Sequence, residues 1–227
     1  MIVLSADLST ACTGIIVARI NSDKSVDKIM STPILPKKID ITKEFGYCKS
    51  KKKLPVKEGS REEVNTYYIK GENFVSKAEK KRRDIKVRQA QNLFILTHMS
   101  KDIGDIVNGI KPDLILYEKN AIFNGILTIE LLAKLAGTLV GIAGSMSIPV
   151  EEYKVQTVRK RHNPTKLVKD FVKGKDENYI ASLPDVTKAA LRELMNNKYS
   201  KYGLNMLSDD ESDACVVFDY WYEEIYK

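Results

Sequence analysis

The sequence has little cysteine and histidine, which limits the chemistry that it can support. It contains three cysteines, Cys12, Cys48 and Cys215, and two histidines, His98 and His162. The cysteines form no CxxC pair and no even set, which argues against a disulfide framework, and two imidazoles are too few for a typical structural zinc site. We therefore expect a protein of a reducing compartment, and the cytoplasm is the simplest one.

Long apolar runs are also missing. The longest apolar stretch, residues 122–148, is interrupted by Glu130, Lys134 and several glycines, whereas a membrane span needs about 20 consecutive apolar residues. The chain starts directly with a strand pattern, and no secretory leader is expected. Its 227 residues suffice for one sizeable core. We expect a single domain over residues 1–227, with a basic insertion at about 37–71 and a polar excursion at about 174–207.

Positive charge exceeds negative charge. The chain has 37 Lys and Arg against 30 Asp and Glu, with a formal net charge of +7. This balance favours a polyanionic partner, nucleic acid ahead of an anionic membrane surface, although a chain that is merely rich in lysine is the alternative. The run at 77–88 holds seven cations in twelve residues, a density that favours contact with phosphates over a solvated helix face.

Hydrophobic patterning predicts alternating strands and helices. Strands are expected at residues 2–4, 15–20, 29–35, 114–117 and 150–153. Helices are expected at residues 72–110, 125–146, 155–161, 164–172, 185–196 and 209–226. Asn163 is the expected N-cap of the helix that begins at Pro164. This order predicts an α/β protein with a mixed five-stranded sheet flanked by helices.

Carboxylates follow apolar elements at three places. Asp7 ends the first strand, Glu118 ends the strand at 114–117, and Asp210 and Asp213 lie near the start of the last helix. Two residues three apart share one face of a helix. A carboxylate at the end of a buried strand needs a cation, a metal or a hydrogen-bonding turn to satisfy it.

Helix capping is the alternative role for the acids of the last helix, because carboxylates are favoured at helix N-termini. Asp209, Asp210 and Glu211 all fit that role, whereas Asp213 is followed directly by an apolar run. The three-residue spacing to Asp213 favours Asp210 over its two neighbours as the functional acid.

Neighbouring strands that end in Asp7 and Glu118, with the last helix across them, would gather four carboxylates. Such a cluster repels itself unless divalent cations neutralise it, and an all-oxygen site suits Mg²⁺ or, in its place, Mn²⁺. Two such ions can activate a water and stabilise the leaving oxygen of a phosphodiester. We therefore predict Asp7, Glu118, Asp210 and Asp213 as metal ligands and catalytic residues. With the basic surface, they indicate a nuclease.

Four segments carry a family resemblance: IVLSADLSTACTGIIV, LILYEKN, VEEYKVQTVRK and DDESDACVV. In this order they resemble the RuvC-type Holliday junction resolvases, in particular the RuvC-like resolvases of lactococcal bacteriophages. The resemblance covers residues 1–36 and 74–227 and implies an RNase H-like fold, with Asp7 bridging both metals. It further implies a homodimer that cuts two strands symmetrically across a four-way junction, leaving 5′-phosphate and 3′-hydroxyl ends, with three-way and fork DNA as further candidate substrates.

The resemblance also extends to DNA contacts. Residues 156–158 match the family motif after the fifth strand, but Val155 replaces the lysine before the glutamine, so that Lys154 is the nearest lysine. Lys166 matches the second basic position, and Phe123 is the aromatic nearest to the junction-crossover position. The predicted DNA-binding residues are Lys80, Lys81, Arg82, Arg83, Lys86, Phe123, Lys154, Arg159, Lys160 and Lys166.

A two-fold enzyme needs an interface between its copies. The glycine-spaced helix at 125–146 is most simply a core helix, and its exposed face is the candidate dimer interface. If the protein is phage-encoded, the host cytoplasm is its expected place of action.

Two other functions stay open. The first is a branched-DNA-binding protein with weak or no nuclease activity, although the presence of all four acids argues against it. The second treats the turn at 7–14 as the phosphate loop of an actin- or sugar-kinase-type ATPase. That fold needs a second glycine-rich loop and a longer, duplicated chain, and the sequence has neither.

Overall fold

A computed structural model describes residues 1–9, 11–37, 47–57, 60–69, 77–119 and 126–227. Two compact units are present, one comprising residues 1–36 with 99–227 and the other residues 37–98. Within the described residues, no helix combines the length and the apolar character that crossing a membrane requires. The first unit carries the candidate site.

The elements follow one another in this order along the described chain. The strands are β1 (Ile2–Asp7), β2 (Thr13–Ile20), β3 (Val26–Ile34), β4 (Tyr47–Lys57), β5 (Ser60–Ile69), β6 (Leu114–Lys119) and β7 (Val150–Lys154). The helices are α1 (Lys77–Ile110), α2 (Ile126–Ser145), α3 (Val155–Arg161), α4 (Pro164–Val172), α5 (Glu177–Ser182), α6 (Val186–Tyr199) and α7 (Asp209–Trp221). A 3₁₀ turn, Ser200–Tyr202, follows α6, and a π-helical turn, Tyr222–Tyr226, follows α7.

A mixed five-stranded sheet forms the centre of the first unit, in the order β3-β2-β1-β6-β7. β2 is antiparallel to both β1 and β3, while β6 is parallel to both β1 and β7. The predicted fold class, an α/β protein with a mixed five-stranded sheet flanked by helices, is thereby confirmed. The sheet order makes β1 and β6 neighbours, and their carboxyl ends point the same way. In the second unit, β4 and β5 pair as an antiparallel two-stranded sheet.

Helix α7 is the most deeply buried helix of the site, since residues 211–219 are all buried. It lies across β1 and β2 and packs against α6. The Ser5 hydroxyl of β1 donates to the backbone carbonyl of Ala214 at 2.8 Å, which satisfies both buried polar groups. Helix α6 buries Leu191 and Met195 in the same core. It falls within the stretch that the sequence predicts as a polar excursion.

The local sequence explains where several helices begin. The Asn163 side chain accepts from the Lys166 backbone at the start of α4, which confirms the predicted cap. The Asp185 carboxylate accepts from the backbone N–H groups of Thr187 and Lys188 at the start of α6. Helix α5 was not predicted from the sequence, because six residues are too few to show helical periodicity. The last helix was predicted to run to Tyr226, but its α-helical part ends at Trp221.

Candidate active site

Asp7 lies at the carboxyl end of β1, opposite Gly14 in the antiparallel pair with β2. At Gly14 the first turn of α7 lies very close to the sheet: a Cβ at this position would lie 2.1 Å from the backbone oxygen of Asp210. Any other residue would therefore push the first turn of α7 away from the sheet. Glycine at position 14 lets the backbone of Asp210 reach the strand pair that carries Asp7.

The acids at the start of α7 divide into capping and site residues. Ser208 is the N-cap, and Glu211 completes a capping box by accepting from the backbone N–H of Ser208 at 2.9 Å and from its hydroxyl at 2.8 Å. Asp209 pairs with Arg192 at 3.3 Å. The capping alternative thus holds for Glu211, and neither it nor Asp209 competes with Asp210 and Asp213 for the site.

Asp213 is almost completely buried, with 3% of its surface exposed, and both of its oxygens are paired. Arg159 Nη2, from α3, donates to Oδ1 at 2.8 Å, and Lys188 Nζ, from α6, approaches Oδ2 at 2.8 Å. The side chains of both cations are partly exposed. A buried carboxylate held by two cations is well compensated.

Asp7 and Glu118 are much less well compensated. Burial raises the pKa of Asp7 well above its ordinary value, and the charges of Glu118, Asp213 and Asp210 raise it further. Burial, followed by the charge of Asp213, raises the pKa of Glu118 from 4.5 to about 7, although Arg159 opposes this rise. The structure therefore brings all four predicted acids into one electrostatically coupled cluster, in which a full set of charges is unfavourable.

The groups around the cluster titrate accordingly. Burial raises the pKa of Asp210, and Lys188 acts against that rise. Burial by itself would lower the pKa of Lys188, but Asp213 outweighs it and the pKa is raised, so that Lys188 is a cation at neutral pH. Burial and the charge of Asp210 raise the pKa of Cys12 to about 11. Its thiol therefore stays protonated, as suits the small apolar residue that the sequence suggests.

A divalent ion fits the chemistry of this cluster, but not the present directions of its side chains. Four carboxylates supply an all-oxygen donor set suited to Mg²⁺ or Mn²⁺, and their mutual repulsion adds to burial in raising the pKa values of Asp7 and Glu118. Within the described residues, however, no three acidic, cysteine or histidine side chains converge on one point as a metal site requires. The oxygens of Asp213 are engaged by Arg159 and Lys188 instead.

The predicted DNA-binding residues lie in several places. Lys154 ends β7, Lys160 lies on α3 and Lys166 on α4, and all three are exposed. In the second unit, Arg82 and Lys86 are exposed on α1. The side chains of Lys80, Lys81 and Arg83 and the whole of Phe123 lie outside the described residues.

Two basic residues of the site escaped the sequence-based prediction of a catalytic role. Arg159 was predicted as a DNA contact, but its guanidinium binds Asp213. Lys188 was not predicted at all. In the sequence, Lys188 follows Asp185 at the start of a helical pattern, which indicates only a helix N-terminus. This pattern does not indicate that the Lys188 side chain faces Asp213.

Comparisons with known proteins give fold-level similarity only. No protein-family model and no curated protein matches the chain. Among solved structures, the T. thermophilus RuvC complex with a Holliday junction substrate is 8% identical, covers 96% of this chain and 90% of its own, and has a TM-score of 0.44. The Fowlpox virus resolvase complex with Holliday junction DNA is 10% identical over 100% of both chains, with a TM-score of 0.43. The yeast mitochondrial Holliday junction resolvase Ydc2 is 11% identical over 97% of this chain and 77% of its own, with a TM-score of 0.41.

Because these TM-scores lie below 0.5, the similarities do not establish a common function. We therefore infer a function from the residues of the chain itself.

Proposed function

We propose that the protein is a divalent-metal-dependent endonuclease that resolves four-way DNA junctions by paired phosphodiester cleavage, giving 5′-phosphate and 3′-hydroxyl ends. One observation carries this proposal. The pKa of Asp7 is raised first by burial and then by three further carboxylates, Glu118, Asp213 and Asp210, which come from β6 and α7. Acids gathered from distant parts of the chain, at a cost in charge repulsion, are typical of functional sites.

The chain also has the charge that a DNA substrate requires. Its formal net charge is +7 despite this acidic cluster, and a basic protein is attracted to the phosphate backbone. Within the described residues, Lys154, Lys160 and Lys166 are exposed and form no pair with a carboxylate. These lysines and Arg159 lie on the same segment of the chain, which comprises β7, α3 and α4. We propose that these lysines hold DNA phosphates while Arg159 and Lys188 face the acidic cluster.

The residues that would hold metal ions are Asp7, Glu118, Asp210 and Asp213. When bound, two ions would activate a water and stabilise the leaving oxygen of the phosphodiester. The contribution of the chain itself is electrostatic. Arg159 and Lys188 hold Asp213 in place, and their partly exposed side chains carry positive charge that would attract a phosphate approaching the cluster.

Finer features of the function rest on the sequence resemblance to RuvC-type resolvases, in particular to those of lactococcal bacteriophages. We propose a homodimer that acts in a host cytoplasm and also accepts three-way and fork DNA. The predicted interface is α2, whose Gly137, Gly141 and Gly144 are exposed, with nothing within 4 Å of a Cβ placed at each. Small exposed residues would let a second copy approach closely.

A branched-DNA-binding protein with weak or no nuclease activity is the second candidate. Its support is the pairing of Asp213 with Arg159 and Lys188, which neutralises that carboxylate without any metal. The two candidates agree on DNA binding and differ on cleavage.

Replacement of Asp7 separates the two candidates. We expect Asp7→Asn to lower the rate of four-way junction cleavage with Mg²⁺ or Mn²⁺ by about 10²–10³-fold, as the loss of a central electrostatic group does, while junction binding in a gel-shift assay stays intact. Asp209→Asn is the matched control, because Asp209 pairs with Arg192 and not with the cluster; it should retain cleavage. Wild-type protein that binds the junction but does not cut it supports the second candidate, and Asp7→Asn protein that still cuts refutes the first.

A further inference from the structure

Asp219 lies six residues beyond Asp213 on α7 and is completely buried, with 0% exposure. Its Oδ1 accepts from the Tyr199 hydroxyl at 2.6 Å and pairs with Lys198 Nζ. Its Oδ2 accepts from Arg161 Nη1 at 2.9 Å. An isolated charge cannot persist at such a depth, and here each carboxylate oxygen has its own cation.

The partners of Asp219 come from the same two helices as the partners of Asp213. Asp213 is held by Arg159 of α3 and Lys188 of α6, and Asp219 is held by Arg161 of α3 and Lys198 of α6. Two buried acids of α7, about 1.7 turns apart, therefore each bridge α3 and α6. One bridge lies in the acidic cluster and the other outside it.

Helix α3 needs such a bridge to hold its position. It has only seven residues, and among the described residues no side chain caps its N-terminus. Helices this short are not stable by themselves, so that tertiary contacts fix where they lie. Val158 anchors one face of α3 in the core, and Arg161 fixes its last turn to Asp219. Arg159 lies on α3 between these two anchored residues.

We propose that Asp219 is a positioning residue, which holds α3 and α6 on α7 so that Arg159 and Lys188 meet Asp213. The proposal rests on the nuclease function proposed above for its effect on catalysis, but the placement of the two cations can be measured without it. A buried ion pair is by itself weak evidence for stability, since an apolar replacement is often neutral. A role in geometry gives a reason for two charged bridges across the same three helices.

The first arm of the test is cleavage of a four-way junction in Mg²⁺. We expect Asp219→Asn to lower kcat by about 10- to 100-fold, as loss of the partner that orients a site residue does, with KM for the junction unchanged. In a Lys188→Gln background, Asp219→Asn should lower kcat by a smaller factor, because one of the two cations that Asp219 positions is already absent. A merely structural role predicts the same factor in both backgrounds.

The second arm does not depend on activity. Acetylation of metal-free protein by acetic anhydride, followed by peptide mass spectrometry, compares Lys188 with the exposed Lys160 of the same chain. Wild-type Lys188 should be protected by its pair with Asp213, and Asp219→Asn should lose that protection. Glu224→Gln is the matched control, since it removes the other carboxylate partner of Arg161, at 2.6 Å, and leaves Asp219 in place. It should retain both kcat and the protection of Lys188.

The outcomes separate this proposal from the proposed function. If wild-type protein cleaves and Asp219→Asn keeps both its kcat and its Lys188 protection, the positioning role is refuted while the nuclease function stands. If wild-type protein does not cleave, the nuclease function fails and the acetylation arm decides the positioning role. If Asp219→Asn is unfolded by circular dichroism, Arg161→Gln, which changes a partly exposed residue of the same bridge, carries both arms with the same expected losses.

Discussion

Replacement of Glu118 by Gln tests whether burial and the neighbouring carboxylates make the charge of Glu118 unfavourable in the folded protein. Gln keeps the shape of the side chain and removes its charge. If burial and Asp213 hold the pKa of Glu118 at about 7, the ionised form is unfavourable in the folded state. We therefore expect Glu118→Gln to make the metal-free protein more stable at pH 8, although it removes a residue proposed to be essential for cleavage.

The magnitude follows from the difference between the folded and unfolded pKa values. A tenfold change in proton affinity corresponds to about 1.4 kcal/mol. The rise in the pKa of Glu118 from 4.5 to about 7 therefore corresponds to roughly 3 kcal/mol. Below pH 4.5 the carboxyl is protonated in both states, and its favourable contribution is fully present. As the pH rises through about 7 that contribution is lost, because the unfolded state has already released the proton. Since Glu118 is partly exposed, solvent screening reduces the gain on substitution to about 1–3 kcal/mol.

The assay is urea unfolding in EDTA at pH 5 and pH 8, followed by circular dichroism. The stability gain of Glu118→Gln over wild type should be largest at pH 8 and should shrink toward pH 5. Glu130→Gln is the control, since Glu130 is an exposed acid that pairs with Lys134 on α2; it should change stability by less than about 0.5 kcal/mol at both pH values. Equal or lower stability of Glu118→Gln at pH 8 would contradict an unfavourable charge at Glu118.

Two further substitutions test the construction of the site. Gly14→Ala should destabilise the protein by about 1–3 kcal/mol in urea unfolding and impair cleavage, because its Cβ collides with the backbone of Asp210. The control Gly109→Ala should change neither stability nor cleavage in this way, because nothing lies within 4 Å of the added Cβ. Equal effects of the two substitutions would refute the close approach at Gly14. Lys188→Gln should reduce both cleavage and stability, because it removes one partner of Asp213. Breaking a fully buried ion pair costs about 3–5 kcal/mol. The loss of stability should be smaller here, because Arg159 still pairs with Asp213. A Lys188→Gln protein with wild-type stability and activity would exclude a role for that pair.

The sequence is sufficient to predict the sheet and the location of its acids. Short apolar runs mark β1 and β6, and each is followed by a carboxylate that an ordinary core would not contain. Parallel neighbouring strands end at the same edge of a sheet, which explains why Asp7 and Glu118 meet. The capping box of Ser208 and Glu211 explains why Asp210, and not Glu211, is available to the site.

The directions of the side chains could not be predicted in the same way. Four acids in a sequence suggest a metal site, but they do not show that Asp213 turns toward Arg159 and Lys188. Lysine and arginine have long, flexible side chains, so the pattern of 37 cations does not indicate which of them reach a buried carboxylate. Whether the four acids ligate metal ions stays a prediction.

Asp219 shows a different limit of sequence patterns. It stands between Phe218 and Tyr220, in a helix buried on almost every side, and no helical face separates it from the apolar residues. A lone acid among aromatic residues indicates a buried charge that needs a cation. Its partners, Arg161 and Lys198, lie 58 and 21 residues away in the chain. Only the three-dimensional packing of α3 and α6 on α7 reveals them.

The most direct test of the central claim is cleavage mapping with wild-type protein and Mg²⁺ on a mobile four-way junction, beside a fixed three-way branch and a linear duplex of the same sequence. We expect paired cuts in two strands of the four-way junction, with 5′-phosphate and 3′-hydroxyl ends, and an intact linear duplex. Binding of the four-way junction without any cut, in Mg²⁺ and in Mn²⁺, would contradict the claim.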